Sequence, residues 1–446
     1  MANPSSRAFN PGFDVTPAEL ITGIITPAGI FRPGELWKHR RALGGGVSNP
    51  VDLVLGGLAV LSFLLQLWQL LGAVRFRFRS PHPAGSPGPA GPADATEPSA
   101  FTPALTLLKP LKGVDETTRE CLRSWTRQDY PGARQILFGV ASSEDPACVL
   151  VRELMAEHPG MDLELVICPE RLGVNAKVSQ LIQLERKARH EVIVISDADV
   201  WAPADFLRRA VAPLRDPQVG LTNCFYRQAN EETFGMRWEA FAVNADFWSQ
   251  VLQSVALKPM DFALGAAMAT TRQRLQGIGG FSALKDQLAD DYQLGHRIAR
   301  SGGSLELCPV VVECRSGRLG FGAVWAHQLR WARTIRVCQP GPFFFSILSN
   351  ATLWPVLWGL VSPGSVSVFV ATAFLVFRLG SGAVMERRLA GRTTASRAGM
   401  PIWKDLLQAV IWALALLGKT VVWRGVRYQI LRNGDLVRLA DVDSTP

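Results

Sequence analysis

Two carboxylates one residue apart stand at the end of an apolar run, where Val192-Ile193-Val194-Ile195 leads into Ser196-Asp197-Ala198-Asp199-Val200. Alternate strand residues point the same way, so Asp197 and Asp199 converge at the carboxyl edge of the sheet, where open α/β folds bind ligands. Two hard oxygen ligands at that edge suit Mg²⁺ or Mn²⁺ carrying a diphosphate. Aspartates in a loop also cap helices, and an isolated Asp-x-Asp leaves that reading open. A second acidic pair, Asp290-Asp291, lies about ninety residues later, at the start of a helical pattern through Leu294, Ile298 and Arg300. First-turn aspartates oppose the helix dipole. The sharper alternative is that one of them takes the proton of an alcohol as its oxygen attacks an electrophilic carbon.

Further along, His327-Gln328-Leu329-Arg330-Trp331 sits inside an aromatic, basic, amphipathic stretch over 321–337 that suits a bilayer surface. There Arg330 could meet a diphosphate and Trp331 could stack on a ring, with His327 as a surface or packing residue. Lys109 and Pro110, in Leu108-Lys109-Pro110-Leu111-Lys112-Gly113, put a cation and exposed amides after the first strand, within reach of a nucleotide. In Asn175-Ala176-Lys177, the lysine could neutralise phosphate, although a lone lysine is usually just solvated. Gly279-Gly280-Phe281 reads as a turn, because no strand precedes it in a phosphate-loop pattern.

These residues need a scaffold, and apolar runs at 104–108, 135–140, 163–168, 192–196 and 219–225 alternate with helical stretches. That alternation predicts a largely parallel sheet covered by helices. Around it the chain turns apolar. Residues 51–74 (VDLVLGGLAVLSFLLQLWQLLGAV) are long enough for a membrane helix, and apolar segments recur near 343–361, 365–385 and 402–423. Lys404, Asp405 and Lys419 shorten the last of these, so it either spans or lies in the interface. The cluster Arg75-Phe76-Arg77-Phe78-Arg79 places the polypeptide downstream of it in the cytoplasm by the positive-inside rule, against Lys38, Arg40 and Arg41 on the other side. The expected organisation begins with an extension over 1–50 without the layout of a signal peptide, the helix 51–74 and a basic, Pro/Gly/Ala-rich linker over 75–103. It continues with a catalytic domain at 104–318, an interfacial helix at 319–342, membrane helices at 343–430 and a tail at 431–446.

Forty-eight per cent hydrophobic residues with 19% charged fits neither a soluble enzyme nor a wholly intramembrane protein. The net charge of +9 gathers beside apolar segments, as at Arg387, Arg388 and Arg392, which favours anionic lipid over nucleic acid. Seven scattered cysteines with no Cys-x-x-Cys spacing read as reduced and mostly buried.

In order, these features resemble the ceramide glucosyltransferase family of GT-A-fold enzymes, bacterial and hopanoid-pathway relatives included, over roughly 104–339. The resemblance is carried by LKPLKGVDE at 108–116, SWTRQDYPGARQILFGV at 124–140, EDPA at 144–147, GVNAKVSQL at 173–181, SDADV at 196–200, LADDYQLG at 288–295, HQLRWARTIR at 327–336 and VVWRGVRY at 421–428. It implies a GT-A nucleotide-sugar-binding domain between N- and C-terminal transmembrane helices, in a multi-pass membrane enzyme that takes a UDP-sugar donor and a lipid acceptor. By the same resemblance Asp145 lies near the base, Asp197 near ribose or diphosphate, and Asp199 holds the metal. Asp291 is the catalytic base, and Arg330 and Trp331 form the Arg-Trp pair that closes on the diphosphate. His327 departs from the Gln or Arg usual at its position. Glucose transfer to ceramide with inversion is the expected reaction. N-acetylglucosamine transfer to a hopanoid polyol, a processive polysaccharide synthase and a non-catalytic membrane scaffold are the alternatives.

Overall fold

The structure, a computed structural model, describes residues 21–26, 29–35, 38–39, 50–78, 101–391, 399–423 and 426–439. Most of the N-terminal extension, Arg79 with the linker through residue 100, Arg392, the Arg424-Gly425 part of the closing motif and the last seven residues lie outside that set. A hairpin of β1 (Ile24–Thr26) and β2 (Gly29–Phe31) precedes helix α1 (Pro50–Arg75). Then β3 (Leu105–Pro110), α2 (Thr118–Thr126), β4 (Arg134–Val140), α3 (Ala147–Glu157), β5 (Asp162–Ile167), α4 (Ala176–Lys187) and β6 (Val192–Ser196) alternate. They are followed by β7 (Val200–Trp201), α5 (Phe206–Val211), β8 (Val219–Gln228), α6 (Phe234–Phe241), α7 (Trp248–Leu257), β9 (Ala267–Thr271), α8 (Arg272–Gly277), α9 (Asp290–Arg300) and β10 (Ser304–Cys314). The C-terminal part runs α10 (Phe321–Cys338), α11 (Pro340–Phe345), α12 (Leu353–Val361), α13 (Ser365–Ala390) and α14 (Met400–Leu417), then β11 (Thr420–Trp423), β12 (Val426–Ile430) and β13 (Leu436–Arg438).

Eight strands form one sheet in the order β5-β4-β3-β6-β9-β8-β10-β7. Strands β5, β4, β3 and β6 are parallel, and β8 with β10 is parallel; β9 runs antiparallel between β6 and β8, and β7 antiparallel to β10. Period-2 alternation splits the strands between two cores. Leu105, Leu107, Ile136, Phe138 and Val194 face one side, and Leu108, Leu137, Ile193 and Ile195 face the other. Both faces are buried under helices, the arrangement expected of a mostly parallel sheet. Three strands escape the sequence pattern. β9 is Ala-Met-Ala-Thr-Thr, short and small-residued; β10 is interrupted by Glu306, Pro309 and Glu313; β7 is only two residues long.

Helices α1, α13 and α14 are long and apolar enough to cross a membrane, and α11 with its following 3₁₀ turn joins α12 as a pair bent by 51°. Helix α1 shows why a bilayer suits it. Its buried positions are small or polar, Ala59, Ser62, Gln66, Gln69 and Ala73, while Leu53, Val54 and Leu64 point outward. Gln66 Nε2 donates to Ser381 Oγ at 3.1 Å, so polar atoms join the helices and aliphatic ones meet lipid. The chain is thus a membrane protein by these helices. The apolar stretch at 402–423 is not continuous. Gly418 and Lys419 end the helix, and the β-branched Thr420, Val421 and Val422 start a three-stranded sheet whose Val421, Tyr428, Ile430 and Leu436 pack on Leu288. The 343–430 segment is therefore helical only through Leu417.

One buried ionic cluster ties this helical part to the catalytic sheet. Arg378 of α13 meets Asp246 at 2.7 Å and Asp405 of α14 at 2.8 Å; Lys404 meets Asp405 at 3.0 Å and also pairs with Asp246. Thr352 adds a hydroxyl to Asp405 at 2.7 Å. Asp246 sits in a π-helical turn, Ala242–Phe247, between α6 and α7. Two cations balance two anions with almost no water, so losing one strands a buried charge. The variant Arg378→Met is expected to lose about 3–5 kcal/mol of stability, read as a lowered melting temperature in detergent; an unchanged melting temperature would show that the cluster holds nothing together.

Candidate active site

The edge of β6 builds the first half of the site. Ser196 pairs with Ala267, and Asp197 N donates to the Ala266 carbonyl at 3.2 Å, so the register with β9 persists one residue beyond the strand. On the other side Arg315 N donates to the Asp199 carbonyl at 2.9 Å, tying the turn to the end of β10. Below it lies Lys109, fully buried, whose Nζ reaches Ser196 Oγ at 3.3 Å, donates to the Asp197 carbonyl and stacks over the Trp125 ring at 5.0 Å. Burial lowers the Lys109 pKa to about 8, while Asp199 and Asp197 oppose the fall. This places the Lys109 ammonium under the aspartate turn, away from solvent, as its support. Pro110 ends β3 in a buried register with Gly139.

The second half comes from α9. Asp290 and Asp291 open that helix, and Asp291 Oδ1 accepts from its neighbour Tyr292 N at 2.8 Å. Lys177 joins the halves. Its Nζ lies 2.6 Å from Asp197 Oδ1 and 3.2 Å from Asp290 Oδ2. Burial alone would lower its pKa, but the two carboxylates outweigh burial and hold it above its ordinary value. Asn175 sets the height of Lys177: fully buried, it caps α4 through Val178 N at 3.2 Å and donates Nδ2 to the Gln287 carbonyl at 2.9 Å and to Asp290 at 3.3 Å.

Asp291 rests against Gly265, where a Cβ would collide with its carboxylate. Among the described residues Gly265 is the part of the site that sequence reasoning missed, since nothing in Ala263-Leu264-Gly265-Ala266 sets it apart from the chain's other 39 glycines. Burial and the adjacent Asp290 charge push the Asp291 pKa up to about 6. Asp199 is likewise raised to about 6, by loss of water around it in the cleft and by Asp197. Asp199 is nonetheless open to solvent, and its carboxylate forms no ion pair with any described residue. An exposed, unpaired carboxylate beside a second one invites a hard cation. The described residues hold no group of three or more His, Cys, Asp or Glu ligands, so protein oxygens from Asp197 and Asp199 would fill part of a shell that phosphate and water complete. On that donor set Mg²⁺ or Mn²⁺ fits.

The remaining expected residues lie at the margins. Asp145 accepts from Gly113 N at 3.0 Å and from Ala147 N at 2.9 Å, stapling the loops after β3 and β4. Arg330 and Trp331 lie on α10, whose C-terminal end reaches the site: Tyr292 donates its hydroxyl to the Cys338 carbonyl at 3.2 Å, and Gln339 Nε2 donates to Tyr292 at 2.8 Å. Trp331 packs on His327, with ring centroids 4.5 Å apart. His327 Nδ1 lies 2.6 Å from Glu239 Oε1, a buried carboxylate that also accepts from Gln328 Nε2 at 2.9 Å. His327 therefore organises the helix rather than standing at the surface.

Paired carboxylates at a sheet edge, a second acidic pair joined to them by a half-buried lysine and Asp291 against a glycine, all beside apolar spans, define a membrane-bound glycosyltransferase with a GT-A-like α/β domain. Residues 57–436 match the family model described as Glycosyl transferase family 21, and the chain belongs to that family. It is 26% identical over 345 residues to ceramide glucosyltransferase 3 of Caenorhabditis elegans, covering 75% of this chain and 74% of that one. With ceramide glucosyltransferase 1 of the same animal it shares 21% over 355 residues, or 76% and 74% of the two chains. Likeness to the Komagataella phaffii ceramide glucosyltransferase is local, 31% over 114 residues, or 25% of this chain and 22% of that one. Among solved structures, a mannosyltransferase from Pyrobaculum calidifontis in complex with GDP-Man and Mn²⁺ aligns with a TM-score of 0.49 at 22% identity, over 82% of this chain and 97% of that one.

Gly265→Ala is expected to push Asp291 out of place and cut turnover at least tenfold while the protein stays folded. Circular dichroism and initial rates together check this, and normal rates in a folded variant would mean that Asp291 has room to spare.

Proposed function

We propose that the protein transfers glucose from a UDP-sugar to the primary hydroxyl of a ceramide-like lipid, with inversion, at the cytoplasmic face of its membrane. The glucose and the ceramide follow the names of the relatives, and cytoplasmic placement follows Arg75 at the end of α1 and Arg77 just beyond it. One observation carries the catalytic part: Lys177 draws the Asp197 and Asp290 carboxylates to a single cation, so donor-side and acceptor-side acids share one edge of the sheet.

In this reading Asp291 accepts the acceptor's hydroxyl proton as that oxygen bonds to the anomeric carbon. The bond from that carbon to the distal phosphate breaks, and nucleoside diphosphate leaves with the electron pair. Asp199 and Asp197 would hold a divalent cation, which would supply charge neutralisation for the departing diphosphate. Lys177 holds Asp197 toward it and pairs with Asp290 beside the base. Asp145, through the loops after β3 and β4, and Lys109 and Pro110 beneath them, shape the nucleotide side. Arg330 and Trp331 on α10 close over the diphosphate. With 104–318 as the catalytic domain and 319–342 as an interfacial helix, the exposed Phe321 and Ile335 of α10 face the bilayer surface.

Asp291→Asn is expected to reduce kcat by at least a hundredfold with donor affinity nearly unchanged, measured by release of UDP and by donor titration. The same carboxylate sets the acid limb of the pH profile. A base works ionised, and the raised Asp291 pKa means that kcat/KM falls as pH drops through about 6, well above where an ordinary carboxylate would place the fall. A variant retaining most of its kcat would sink the assignment.

A further inference from the structure

The sheet lays the site out in spatial order. Crossing its carboxyl edge, β4 carries the loop with Asp145, β6 runs into Asp197 and Asp199, the approach to β9 holds Gly265 with Asp291 against it, and β8 comes next. Strands in a sheet stand about 4.8 Å apart. β8 and β9 pair at Leu221↔Thr270, Thr222↔Ala269 and Asn223↔Met268. Continued, that register sets Tyr226 abreast of Gly265, one strand beyond the residue that cradles Asp291, on the side away from the nucleotide loops.

Tyr226 is half-buried, and its hydroxyl has no hydrogen-bond partner among the described residues. Its ring is held by Phe247, with centroids 5.7 Å apart at 40°. Phe247 ends the π-helical turn that also carries Asp246 to Arg378 of α13, and Asn244 of that turn pins the end of β8 through Gln228 N at 2.8 Å and the Gln228 carbonyl at 3.0 Å. Such single-turn π bulges are frequent at functional sites. The element that fixes Tyr226 is thus the one that meets the membrane helices, the direction from which a lipid alcohol arrives. Burial and the surrounding Cys314, Asp291, Glu239 and Asp197 hold the phenol's pKa well above its ordinary value, so it stays a proton donor throughout the working range.

We propose that Tyr226 is an acceptor-binding residue, donating a hydrogen bond to a second polar group of the lipid headgroup, a hydroxyl or an amide carbonyl, while Asp291 faces the reacting hydroxyl. This rests on the glycolipid-forming reading of the same site. The test compares wild type with Tyr226→Phe, which keeps the ring and its packing on Phe247, in nanodiscs containing ceramide, with labelled UDP-glucose. The expected result is a fall of about tenfold in kcat/KM for the lipid, the scale of one lost hydrogen bond in a partly buried site, with the donor's Kd and the slow hydrolysis of donor by water within twofold of wild type. Acceptor kinetics within twofold of wild type would make Tyr226 a packing residue and overturn the proposal. Equal losses in donor binding and in transfer would overturn it too, by moving the phenol to the nucleotide side. A wild-type protein that binds donor and labels no lipid overturns the functional reading and this one with it, an outcome visible before the variant is made.

Discussion

A single ammonium group holds the site together. Lys177 contacts Asp197 and Asp290, and without it four carboxylates, Asp197, Asp199, Asp290 and Asp291, would gather at one sheet edge with little cation to offset them but Lys109 from below. Like charges at such spacing disfavour ionisation. With Lys177 in place, burial first and a neighbouring carboxylate second raise the two acids it does not touch, Asp199 and Asp291, to about 6. In the proposed reaction these are the two that meet something else, a metal and a proton. The arrangement also explains why α4 begins where it does, since Asn175 caps that helix and grips Asp290 with the same amide group.

Apolar packing and polar atoms together bond the membrane part to the catalytic part, since Ala73, Met385, Leu389 and Ile411 share one core with Phe225, Trp238 and Trp248. Among the polar contacts Gln69 meets Gln253 at 3.4 Å, and Arg378 and Lys404 meet Asp246, while Gln66 joins α1 to Ser381 of α13 and Leu53, Val54, Val366 and Phe369 face outward. In lipid, apolar surface gives helices no reason to associate, whereas unsatisfied polar groups do. Because the cluster runs through the turn that ends in Phe247, the position of the spans and the geometry beside β8 are mechanically one unit.

Much of this was legible from sequence, and the failures have physical causes. Four β-branched residues running into Asp197 and Asp199 mark the strand and its edge by alternation alone, whereas a ligand role for the two aspartates comes only with the ordered motifs. β9 stayed hidden because Ala267, Ala269 and the threonines lack the bulk that marks a strand, though a fully buried central strand needs none. Lys109 reads in sequence as a cation set to meet a nucleotide and is buried in the fold, where Trp125 and the Asp197 carbonyl replace its water. Gly265 carries no local signal, since its necessity comes from a carboxylate 26 positions further along the chain. The end of α14 at Leu417 was blurred because Val421 and Val422 are as apolar as a membrane helix, yet their β-branching and the packing on Leu288 favour strands.

The central claim is that donor and acceptor acids form one site through Lys177 and make a glycolipid there. The most direct measurement is the stoichiometry of transfer by purified protein in ceramide nanodiscs with UDP-glucose and Mg²⁺ or Mn²⁺. The expected result is one glucosylated lipid of β configuration for each UDP released by the wild type, and loss of both products together in Lys177→Met. UDP released without lipid product, or a Lys177→Met protein that transfers at the wild-type rate, would contradict it.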